Sequence, residues 1–221
     1  MKRTLVLCFV VGLAASLAAQ QVEVRYDLVL IESFDGVGTT YSRPIEIEVA
    51  PPGATSTLTG SYSTGNLVDG DHTTAWFEGA PAYGVGETLS FDVDLNQIPR
   101  VIAIWPGYQR SAALYERNGR PARLRIRWIG FDPSLTDPFF EIASIDVDLI
   151  RGYDRRVAAG PQYIYIGSGP FVQNAAVSEL DILSIEILEV DSDGSTDTDT
   201  GISEVKLYSR GPTVGVRAPG R

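Results

Sequence analysis

A chain of 221 residues with 18 basic and 28 acidic side chains carries a formal charge of −10, and its single cysteine, Cys8, lies near the N-terminus. That balance excludes DNA or an acidic membrane as the main partner, since either polyanion would be repelled overall. No disulfide can form within the chain, so a fold must rest on apolar burial; about 200 residues suffice, because a domain of that size buries roughly 70% of the surface its unfolded chain exposes.

Residues 1–20 read as a secretory leader: Lys2 and Arg3, an apolar run over 5–15, then small residues at Ser16, Ala18 and Ala19. The run is too short for a comfortable membrane span. Its removal shifts the net charge from −10 to −12 and takes Cys8 with it. Residues 22–31 alternate loosely and predict a first strand, and I-E-I-E-V at 45–49 alternates cleanly before Pro51 and Pro52 stop it. Next comes N-L-V-D-G-D-H-T-T-A-W at 66–76, where Asp69 and Asp71 flank Gly70. A glycine there lets the backbone turn so that several oxygens converge, as a hard cation such as calcium requires. On spacing alone an Asx-type turn without an ion fits equally well.

Beyond the loop, L-S-F-D-V-D-L at 89–95 puts its apolar residues on odd numbers, and the apolar run 101–105 suits a central strand. Tyr108, Arg110, Tyr115, Arg117, Asn118 and Arg120 then fall within one loop-like stretch, a concentration of rings and cations in an acidic protein. Sugars dock their C–H faces on aromatic rings while arginine and asparagine fix the hydroxyls. Bracing of the turn before Pro121 fits Asn118 and Arg120 as well, and Trp76 and Trp105 fit a core better than a ligand platform. R-L-R-I-R-W at 123–128 separates three arginines from three apolar residues, and residues 145–149, 163–166, 182–190 and 205–208 complete the strand series. The 182–190 run changes phase near Leu188, which predicts a bulge. D-S-D-G-S-T-D-T-D at 191–199 lacks the helical flanks and terminal glutamate of an EF-hand and reads as a solvated acidic loop. The stretch 211–221 reads as a loose tail. Many short strands with 22 glycines and 13 prolines between them predict an antiparallel sandwich or barrel over 21–210, with 21–52 either its first strands or an added N-terminal hairpin.

The ordered motifs T-S-T-L at 55–58, the 66–76 loop, E-G at 78–79, G-V-G-E at 84–87, I-W-P-G-Y at 104–108, Y-E-R-N-G-R-P at 115–121 and D-T-G-I-S-E-V at 199–205 resemble discoidin-like (coagulation factor C-type) domains, most of all the NADase-type glycan-binding branch. The resemblance spans roughly 54–208. It implies an all-β, galactose-binding-like jelly-roll sandwich, a non-catalytic role, and ligand binding through loops at one end. In sugar-binding members of the wider group a structural calcium lies between the acidic loop and a late glutamate. Carried onto this chain, that implies Asn66, Asp69, Asp71, Thr74 and Glu204 as the calcium set, with Asn66 and Thr74 held to main-chain oxygens.

His72 is the only histidine, which makes a zinc site or a Ser-His-Asp arrangement a poor reading and leaves it as a loop residue facing solvent or ligand. Glu78 and Glu87 invite comparison with a glycosidase pair, but chance pairs are common in acidic proteins and sequence gives no separation. The expectation is an exported module, periplasmic, outer-surface or secreted. It would bind a carbohydrate or glycan-bearing surface through Tyr108, Arg110, Tyr115, Arg117, Asn118, Arg120 and His72, with a structural calcium. The alternatives are an envelope scaffold making only protein contacts and, less well supported, a carbohydrate-active hydrolase.

Overall fold

The computed structural model describes residues 23–25, 30–34, 38–42, 44–94, 98–151, 160–166, 181–209 and 213–217. Two antiparallel sheets form a sandwich. The first runs β1 (Glu23–Arg25), β11 (Gln162–Tyr165), β8 (Val101–Pro106), β13 (Gly201–Ser209), β4 (Ile45–Ile47), with β6 (Trp76–Phe77) also paired to β13. The second runs β10 (Phe139–Asp148), β9 (Arg120–Phe131), β12 (Asp181–Asp191), β7 (Thr88–Val93), β5 (Gly53–Ala54). A further sheet of β14 (Thr213–Arg217), β3 (Gly38–Ser42) and β2 (Leu30–Phe34) stands apart in the pairing scheme.

Alternation builds the core. From the second sheet Leu89, Phe91 and Val93, Leu124, Ile126 and Trp128, and Leu183, Ile185 and Ile187 are buried; from the first, Ile102, Ile104, Ile164, Ile202 and Leu207 meet them in one cluster. The period of two that places apolar side chains on one pleat face therefore decides which face closes the sandwich. Strand β8, between β11 and β13, is buried on both faces: Ile102 and Ile104 enter the main core, while Val101 and Ala103 join a smaller cluster with Tyr165 and Tyr208. On the outer face of β9, Arg125 bonds Asp146 through Nε at 2.7 Å, Arg123 reaches Asp146 and Asp148, and Arg127 pairs with Glu141 and Glu186.

Several elements depart from the sequence reading. The single strand expected over 22–31 is two strands in two different sheets, because β1 pairs with β11 while β2 pairs with β3. The segment read as a loose tail carries β14, antiparallel to β3; Val214 and Val216 supply the short alternation that Pro and Gly neighbours obscure. The stretch 108–120 is not all loop: helix α1 (Ala112–Arg117) occupies its middle, capped by Ser111, whose Oγ accepts from the Leu114 N–H at 3.2 Å. The phase change near Leu188 is a register shift in the β12–β9 pairing on either side of Glu189. The expected leader over 1–20 lies outside the described residues. Among the described residues no helix is long and apolar enough to cross a membrane.

Candidate functional site

The loop after β5 is anchored by a short 3-10 turn over Thr64–Leu67, with Leu67 fully buried. Past it, Gly70 takes φ +77, a left-handed conformation that glycine adopts without strain. Asp69 closes the turn: its Oδ1 accepts the Asp71 N–H at 2.8 Å and its Oδ2 the Thr74 hydroxyl at 2.8 Å. The Asp71 Oδ1 accepts both the N–H and the hydroxyl of Thr73, which holds this exposed carboxyl below its usual range. Asn66 staples the loop from outside, its Nδ2 donating to the Ser61 and Ala75 carbonyls at 2.7 and 2.8 Å. Its amide thus braces the loop, leaving only oxygens for any other partner.

Glu204 arrives on β13 and meets this loop from 134 residues away: the Gly70 N–H donates to its Oε1 at 3.1 Å. Glu204 is 2% exposed, and its Oε2 has no hydrogen-bond partner. Burial first, and the nearby Asp69 charge second, push its carboxyl up to about 7 against the relief given by the Gly70 N–H. Asp69, Gly70 and Glu204 line a cleft of about 410 Å³ with Glu46, Glu48 and Lys206. A buried, partly orphaned carboxylate beside a second one is costly unless a cation faces it. That orphaned oxygen, the donor chemistry and the room in the cleft fit a calcium ion. Among the described residues no three His, Cys, Asp or Glu side chains converge as a metal cage, so main-chain oxygens would have to complete the shell. The side chain of Asp71, turned onto Thr73, is already engaged within its own turn.

At the neighbouring end of the sandwich, Phe77 packs edge-to-face against Tyr62 at 4.9 Å and against Tyr108 at 5.4 Å between ring centroids. These rings, with Leu58 and Leu114, line a small pocket of about 90 Å³ together with Arg117, Asn118, Asp197 and Asp199. Arg117 Nε bonds Asp197 at 2.8 Å. The pocket walls are fixed by the backbone: the Arg117 carbonyl accepts from Thr196 and Asp197, and the Gly119 N–H donates to the Asp199 carbonyl at 2.9 Å. Arg110 lies exposed at the margin, its Nη1 donating to the Tyr108 hydroxyl at 3.5 Å, and its charge reaches Asp71 together with that of His72. The fold thus gathers His72, Tyr108, Arg110, Arg117 and Asn118 at one end.

Tyr115 and Arg120 face elsewhere. Arg120, 6% exposed, bonds Asp191 at 3.0 Å, donates to the carbonyls of Tyr115 and Asp193, and lies 4.8 Å from the Tyr115 ring centroid. These partners take up its guanidinium inside the protein, and the pair braces the turn into β9. Asn118 is also buried; it caps α1, its Nδ2 donating to the Leu114 carbonyl at 2.8 Å. Trp76 is wholly buried, with Nε1 donating to the Thr57 hydroxyl. Glu78, 0% exposed, accepts from the Thr200 and Ala80 N–H groups through its two oxygens, and Glu87 accepts from the Thr55 hydroxyl. Neither glutamate is arranged as a free catalytic acid or base; both shape loops. Sequence reading missed Tyr62, Phe77 and Asp199, whose signal was only an aromatic or acid beside a turn.

Among solved structures, the chain is similar to the CBM32-1, CBM32-2 and M60 catalytic domains of Clostridium perfringens ZmpB, at 12% identity and TM-score 0.50, over 86% of this chain and 17% of that one. The two CBM32 domains of ZmpB in complex with GalNAc match at 13% identity and TM-score 0.48, over 74% and 36%. The family 32 CBM of C. perfringens NanJ in complex with galactose matches at 14% identity and TM-score 0.36, over 75% and 100%. The chain therefore spans about a third or less of the ZmpB chains it matches, and at these identities the likeness speaks to the fold. No curated protein matches. The NAD glycohydrolase translocation F5/8 type C domain model matches residues 47–208, from β4 to the end of the last sandwich strand, and the chain belongs to that family.

Proposed function

We propose that this chain is a non-catalytic carbohydrate-binding module whose ligand end is the pocket of Tyr62, Phe77 and Tyr108 together with Arg117, Asp197 and Asp199. The observation that carries this reading is the pairing, in one preformed cavity, of aromatic rings with planar and carboxylate hydrogen-bonding groups on a β-sandwich of the F5/8 type C family. The adjacent cleft takes a calcium held by Asp69 and Glu204, with main-chain oxygens of the loop completing its shell. A bound ion supplies positive charge there and ties the loop to β13. The module works outside the cytoplasm, in keeping with the leader-like residues 1–20.

Titration calorimetry of the chain lacking 1–20 against a panel of hexoses and hexosamines tests the reading. Binding should appear for at least one sugar and weaken about tenfold or more in Tyr108→Ala. Silence across the whole panel would overturn it. A scaffold role draws on one different observation: in the β9–β10 hairpin Phe131 and Phe139 pack at 5.1 Å between ring centroids, while Leu135 and Phe139 stay 48% exposed. A stoichiometric envelope partner lost in Leu135→Ser, together with silent sugars, would favour that role.

A further inference from the structure

The pocket is too small, at about 90 Å³, to enclose a whole hexopyranose, so it reads one edge of a ring and the substituent there. Its charge is uneven. Arg117 is the one cation among its lining residues, and Asp197 already neutralises it at 2.8 Å. Asp199 is left over. Its main chain is fixed by the Gly119 N–H on its own carbonyl and by the next residue, Thr200, whose N–H binds Glu78. Its carboxylate has no hydrogen-bond donor among the described residues. Behind it Glu78 adds a buried acid close enough to feel the Asp199 charge. Three aromatic rings, Tyr62, Phe77 and Tyr108, line the same pocket, and aromatic surroundings also favour positive charge.

Resting on the carbohydrate reading above, we propose that the pocket selects amino sugars whose amine is free and protonated, the ammonium bonding Asp199 and the ring's C–H edge lying against Tyr62 and Tyr108. An ammonium meets an otherwise unpaired carboxylate as an ion pair as well as a hydrogen bond, whereas an N-acetyl N–H brings no charge of its own. Uronic and sialic acids are disfavoured, because they bring a second negative charge to a surplus one. The net charge of the chain acts in the same direction, drawing in polycationic glycans.

The test is calorimetric titration of the chain lacking 1–20 with glucosamine, galactosamine, their N-acetyl forms and glucuronate, at about pH 6, below the pKa of an amine of this kind. A free amine should bind at least tenfold tighter than its acetylated form, and glucuronate should bind most weakly. In Asp199→Asn the ratio of free to acetylated affinity should collapse towards one. Should that variant fail to fold, the wild-type preference must itself shrink as salt is raised, as an ion pair's does. N-acetyl sugars or glucuronate binding as tightly as free amines, or a preference indifferent to salt, would overturn the amine assignment and leave the carbohydrate reading standing. No binding by any sugar would overturn both.

Discussion

Arg117 and Arg120 are the same residue type three positions apart, yet they do unrelated things. Arg117 lies at the surface with Asp197, whereas Arg120 is buried beneath the acidic loop with Asp191, two carbonyls and the Tyr115 ring. Removing one partner of a buried ion pair strands the other, so Arg120→Met should cost about 3 kcal/mol in urea unfolding, while Arg117→Met should cost far less. Gly84 is a second sensitive residue. It sits at φ +62 after Ala82 and Tyr83, also left-handed, and an added Cβ would fall within the Glu78 side chain. Gly84→Ala should therefore lose more than about 2 kcal/mol by the same measurement. The D-G-D turn was legible in the sequence because a glycine between paired acids announces a turn, whereas Glu204 entered only through the family resemblance. For Arg120 the bracing of the turn before Pro121 was one of two open readings, while its burial was not legible, since that depends on a loop some 70 residues later folding over it.

At the scale of the element, strands were legible and exceptions were not. β9 shows why: Leu124, Ile126 and Trp128 face inward, Arg123, Arg125 and Arg127 outward, and the register with β10 and β12 sets acids beside each arginine. The Arg125–Asp146 pair is exposed and screened by salt. The stability gap between the wild type and Arg125→Ala should therefore narrow in urea titrations as sodium chloride is raised; a gap unchanged by salt would assign the loss to the arginine's aliphatic stem. Helix α1 escaped notice because six residues hold too little periodicity to stand out. The Ser111 cap and the Ala112, Ala113, Leu114 run were its only marks. The division of 22–31 between β1 and β2 depends on β1 pairing with β11, about 140 residues away, while β2 pairs with the nearby β3, so half of it lies beyond any local reading.

For the whole molecule, the cleft at Glu204 links ionisation to folding. Its folded carboxyl titrates at about 7 against an ordinary 4.5, so the folded chain binds the proton more tightly than the unfolded chain does. The resulting stability is complete below pH 4.5 and is lost as pH rises through about 7. In the presence of chelator the free energy of unfolding should fall across that window, by no more than about 3 kcal/mol. With calcium the fall should largely vanish and the melting temperature should rise, since a ligand bound only to the native state stabilises it. Asp69→Ala should remove the calcium response, and melting curves indifferent to both calcium and chelator would leave a plain turn. The general architecture was open to sequence reading because alternation is a local property summed over many strands. The cleft was open only in outline, because its decisive feature, an oxygen left without a donor, exists only once two distant segments meet.

The bond from the Gly70 N–H to Glu204 joins residues 134 apart, and β13 is the last strand of the sandwich to be made. A growing chain therefore holds an unfinished turn for most of its synthesis, and contacts of such long range are slow to close. A truncated or stalled product that lacks β13 cannot tie the Gly70 turn to the sheet, so the cleft at Glu204 is among the last features of the fold to be completed.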